Sequence, residues 1–84
     1  MAKVSITLDG EEYHYDCWHG SKPGGSRILT VVARHPTKGL LEVGDIGLNS
    51  EGDAVTGYSP AEQAFSRWKE ILPLVAKAMG LRLP

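Results

Sequence analysis

Ser59 to Gly80, SPAEQAFSRWKEILPLVAKAMG, constrains the fold more than any other stretch, because it carries a start signal, a stop signal and a regular apolar stripe. Ala61, Ala64, Phe65, Trp68, Ile71, Leu72, Val75 and Met79 recur at the spacing that lines one side of an α-helix. Ser59 stands at an N-cap position, Pro60 at the first helical position, and Glu62 completes a capping box. Gly80 suits the left-handed residue that ends a helix. Pro73 interrupts the run, since it lacks the N–H that would reach the Lys69 carbonyl, and it predicts a kink or two short helices meeting at Leu72-Pro73. A helix of this kind must bury its stripe, and everything before it reads as β-sheet.

Val4, Ile6 and Leu8 alternate with polar neighbours as in a half-buried strand. Asp9-Gly10 predicts a tight hairpin turn, because both residues tolerate positive φ. On the returning strand, Glu11 to Trp18, Tyr13, Tyr15 and Cys17 fall on one face, with Glu12, His14, Asp16 and Trp18 on the other. The loop His19 to Ser26 leads to an apolar strand over Arg27–Arg34, a turn at Pro36, and a strand over Leu40–Leu48. Gly44 and Gly47 within that strand signal a bulge or a close backbone approach. A short last strand over Ala54–Tyr58 runs into the helix. No connection is long enough for a parallel crossover, so the strands pair as antiparallel neighbours. The expected fold is α+β: one domain over residues 1–84, an antiparallel meander of four to five strands with one C-terminal helix, kinked near Pro73, on one face. The other face is left for solvent or a partner.

Composition narrows the function. With 84 residues there is room for one core, and 42% hydrophobic residues suffice to fill it. A net charge of −1 gives no overall field toward nucleic acid or an anionic membrane. One cysteine excludes an internal disulfide. The N-terminal run MAKVSITLDG has no apolar signal segment and no stretch has the length of a membrane span, so a cytoplasmic location is expected.

His14, Cys17, His19 and His35 are the residue types of a zinc site, but His14 and Cys17 point to opposite faces of a strand, and paired ligand motifs are absent. Cys17 with His19 on one face has the makings of a thiol–imidazole pair, yet no adjacent cation supports a thiolate. The loop Gly20 to Arg27 is rich in backbone amides flanked by cations, without the spacing of a phosphate-binding loop. No catalytic motif is present, and neither a metal nor a cofactor is expected. Two readings remain. Aromatic residues favour docking patches, so Trp18, Tyr13, His14, Tyr15 and Tyr58 mark a protein interface at the sheet face or its edge. Under it the protein is a non-enzymatic interaction domain, in size and type like the small inhibitors and regulators that phages and plasmids encode, with a homodimer as one form. The alternative is a nucleic-acid-binding domain that uses Lys22, Arg27, Arg34 and Lys38 around the third strand.

Overall fold

A computed structural model describes residues 1–61 and 65–83. Its elements are β1 (Ala2–Leu8), β2 (Glu11–Ser21), β3 (Arg27–His35), β4 (Gly39–Leu48), β5 (Val55–Pro60) and α1 (Trp68–Ala78). The five strands form one antiparallel sheet in the order β1-β2-β3-β4-β5, curled into a half-barrel around the helix, as the turn lengths require. Asp9 and Gly10 both take positive φ, which makes the β1–β2 turn the tight type expected.

Register divides the strands as the alternation predicts. Val4 and Ile6 of β1 stand opposite Tyr15 and Tyr13 of β2 on the concave side, while Ser5 pairs His14 on the convex side. Leu29, Val31, Val43 and Ile46 meet Leu72 and Val75 of α1 in the centre of the core, all at 0% exposure. Burying one such side chain stabilises the fold by about 1.5–3 kcal/mol, so this cluster is where the chain gains most of its folding energy.

The glycines of β4 mark the two irregularities. Val31 pairs Gly44 and Val32 pairs Glu42, which leaves Val43 as the extra residue of a bulge. Gly47 pairs Gly57 and Leu48 pairs Val55, so Thr56 is the extra residue of β5. A Cβ on Gly44 would lie 2.4 Å from the Ser59 carbonyl oxygen and 3.1 Å from Leu72 Cδ1. Glycine is required there because backbone and helix both approach it.

The start of the helix departs from expectation. Ser59 and Pro60 end β5, opposite Asp45 and Gly44, and Ala61 N–H still donates to the Val43 carbonyl at 3.3 Å. Pairing with the length of β4 outweighs the local capping signal; Pro60 is tolerated because it closes an edge strand. Glu62, the other half of the expected capping box, and Ala64 lie outside the described residues. α1 instead begins after Arg67, whose guanidinium binds Glu70 at 2.6 Å in the first turn and Asp9 of the β1–β2 turn at 2.6 Å. Its end is as expected. Gly80 has φ +77, its N–H reaches the Lys77 carbonyl, and Leu81 N–H reaches that of Ala76, the two bonds of a Schellman motif.

Pro73 lies inside α1, which continues through it as one helix. Replacing Pro73 with alanine restores a donor to the Lys69 carbonyl and removes a ring from the helix interior. The expected result is a gain of about 1–3 kcal/mol, read as a higher urea midpoint. A lower midpoint would show that the proline ring's packing outweighs the missing hydrogen bond.

Candidate functional site

The ladder between β2 and β3 runs from Ser21↔Arg27 to Tyr15↔Ala33 and stops, although both strands continue. Beyond that point Glu11–His14 of β2 pair with β1 alone, and Arg34 and His35 of β3 pair with β4 alone. Two features lie beside the stop. The bulge at Val43 is on β4 opposite Val31 and Val32, and a bulge sharpens the local twist. Arg67, through Asp9, ties the tip of the β1–β2 hairpin to the start of α1.

A groove of about 860 Å³ opens where the strands part. Tyr15, Ala33, Leu41, Phe65 and Ile71 supply its apolar floor, and Tyr13, 38% exposed, stands at the mouth. Lys3, Glu12, His14, Arg34, His35 and Arg67 form its rim. Residues of both sheet faces line it, so the groove reaches through the gap to the convex side.

Most of the rim charge is already paired. Arg34 Nε donates to Asp16 Oδ2 at 2.6 Å; the aspartate is buried on the convex face, whereas the arginine is largely exposed. Arg67 holds Asp9 and Glu70, and its hydrogen bond is the chief cause that keeps the Glu70 carboxyl below its ordinary value. Among the described residues Lys3 has no ion-pair partner. His35 Nδ1 accepts from the Thr37 and Lys38 amides at 3.2 and 3.1 Å, which leaves Nε2 as the position for a donor when the ring is neutral.

Ser5, His14 and Glu12 form a chain on the rim, with Ser5 Oγ 2.8 Å from His14 Nδ1 and His14 Nε2 3.2 Å from Glu12 Oε1. These are the residue types of a serine nucleophile, its base and an orienting acid. His14 and Glu12 are 71% and 64% exposed, however, and Ser5 with His14 is an ordinary cross-strand pair of the β1–β2 ladder. Water surrounds the base, so the set lacks the covered, water-excluded surroundings in which such a group is effective. The arrangement fixes His14 at the rim.

The aromatic candidates do not form one patch. Tyr15 is buried in the core, and Tyr58 is half-buried against it. Tyr13 belongs to the groove mouth, where its hydroxyl donates to Glu11 at 3.0 Å. His14 and half-buried Trp18 lie on the convex face, which Trp18 shares with Asp16 and Val32. The basic candidates separate as well. Lys22 and Arg27 lie at the β2–β3 loop, and Arg34 and Lys38 at the other end of β3, about 23 Å along the strand. Lys22 and Gly25 amides bond within their own loop, to the Ser26 and Lys22 carbonyls, so it holds no open cradle of amides at those positions.

Cys17 is 1% exposed, and burial, followed by the neighbouring Asp16 carboxylate, pushes its thiol up to about 11. A covered, protonated thiol is inert. Native protein at pH 8 is expected to resist iodoacetamide and to be alkylated fully once denatured; rapid native labelling would contradict the burial. The same shift sets a pH dependence. Between the ordinary value of 9.0 and about 11 the unfolded chain loses a proton that the folded chain keeps, so stability falls as pH rises through that window. Tyr15, raised mainly by burial, acts in the same direction at higher pH. Among the described residues no group of three or more His, Cys, Asp or Glu is placed to hold a metal ion, and no helix is long and apolar enough to cross a membrane.

Phe65, Leu41 and Ala33 were not legible as site residues. The groove depends on where one ladder stops, and the only sequence signal near it is Gly44, which marks the bulge. In comparisons with known proteins, the chain matches no family model, no curated protein and no solved structure.

Proposed function

We propose that this chain is a non-enzymatic protein-interaction domain that docks its partner at the groove between the parted ends of β2 and β3. One observation carries the reading: the sheet stops pairing over an apolar floor that stays open to solvent. Such a concavity offers area to bury, while the paired charges of its rim supply orientation rather than catalysis. The convex face around Trp18 is a poorer candidate, because its aromatic is half-buried and shares the face with a satisfied ion pair. Nucleic-acid binding gains no support from basic residues that stand at opposite ends of β3. Regulation or inhibition of the partner follows if the docked surface is one the partner needs.

The test places a photo-crosslinking phenylalanine derivative at Tyr13, at Trp18 or at Lys22, in cells that make the protein, with nuclease treatment of the lysate. A discrete protein adduct from position 13 alone is the expected result. An adduct from position 18 alone would move docking to the convex face, and a nuclease-sensitive adduct from position 22 would replace the reading with nucleic-acid binding.

A further inference from the structure

Antiparallel strands turn their N–H and C=O groups to alternate sides, so every second residue of β2 between Glu11 and His14 faces the groove rather than β1. The same holds for one of Arg34 and His35 on β3. Among the described residues these make no backbone hydrogen bond outside the ladders, and no ladder joins them across the gap. The groove is therefore an interior sheet edge: unpaired main chain on both walls, apolar side chains below, charge above. We infer that its occupant is an extended, acidic segment of a partner protein, added as a short strand along the Glu11–His14 edge. This rests on the docking role proposed for the groove and specifies how the partner is held.

Three features select that occupant. Main-chain groups in a groove are satisfied by another main chain, and an edge of four residues accommodates about 13 Å of extended peptide. Alternate side chains of such a strand point down, where Tyr15, Leu41 and Phe65 accept apolar groups, and the intervening ones point to the rim. At the rim, among the described residues, the cation without an ion-pair partner is Lys3, and His35 offers Nε2 as a donor, so carboxylates that reach either one complement what is left uncommitted.

Panning a displayed library of random dodecapeptides on the wild-type protein supplies the probe, and titration of a selected peptide into isotope-labelled protein locates it. The expected peptides alternate apolar and acidic residues and protect the groove-facing amides of Glu11–His14 from exchange. Methylating the peptide's backbone nitrogens at alternate positions should weaken binding about tenfold, with the other set nearly silent. Lys3→Ala, on an exposed strand residue, should weaken it several-fold, and Tyr13→Ala should do the same from the mouth, with unchanged urea midpoints showing that both variants fold. A peptide that binds in the groove but is indifferent to N-methylation, or is basic, overturns strand addition while leaving the docking site in place. Peptides that bind only around Trp18, or none selected at all, overturn the groove as a docking site.

Discussion

Truncating Leu72 to alanine is expected to leave the protein on the edge of unfolding. Leu72 is 0% exposed and sits where α1 meets Gly44 and the core residues of β3 and β4. Removing a fully buried leucine side chain costs about 2–5 kcal/mol, the larger values applying where neighbours cannot close the cavity. A sheet curled round a single helix has little freedom to close it, because the strands are held by their ladders. A domain of this length has a total stability of roughly 4–13 kcal/mol, so the loss is a large share of the whole. Urea denaturation followed by tryptophan fluorescence reads it directly. A loss below about 1 kcal/mol would mean that α1 does not seal the core as described.

Gly44→Ala is expected to be nearly as damaging, although it adds only a methyl group. That methyl would stand 2.4 Å from the Ser59 carbonyl oxygen, a backbone atom fixed in the β4–β5 ladder, and 3.1 Å from Leu72 Cδ1. Overpacking of this kind costs about 1–3 kcal/mol, and the upper end applies where backbone rather than a side-chain tip must move. The two substitutions are coupled. In Gly44→Ala/Leu72→Ala the contact with Leu72 is gone but that with Ser59 remains, so the double variant should lose less than the sum of the singles and more than Leu72→Ala alone. Strict additivity would place Leu72 away from Gly44 and contradict the seam between β4 and α1.

The sheet was legible because its signals are local. Asp9-Gly10 needs only its own backbone to form a tight turn, and the alternation of Val4, Ile6 and Leu8 places their side chains without reference to the rest of the chain. Gly80 ends the helix for the same reason. The start of the helix was misread where two signals compete: Ser59-Pro60 is a good cap by itself, but it lies within reach of Asp45 and Gly44 on β4, and ladder pairing prevails. The candidate site was least legible. Tyr13 was singled out, yet the floor beneath it joins Ala33, Leu41 and Phe65 from distant parts of the chain. What brings them together is the stop of the β2–β3 ladder at Tyr15↔Ala33, near a bulge on the neighbouring strand β4. No residue at the gap itself announces it. Arg34, read as a cation for nucleic acid, turns out to be occupied by Asp16, a pairing that alternation permits but does not specify.

Everything functional in this account depends on that gap. Residue-by-residue amide hydrogen exchange of the free protein tests it without a partner. If β2 and β3 part as described, protection between Glu11 and His14 alternates: slow for amides bonded to β1, fast for those turned to the groove. Cys17 and Val31, deep in the paired region, stay slow throughout. Uniform protection from Glu11 to His14, matched at Arg34 and His35, would mean that the strands pair to their ends, close the groove and leave the domain without the docking site proposed for it.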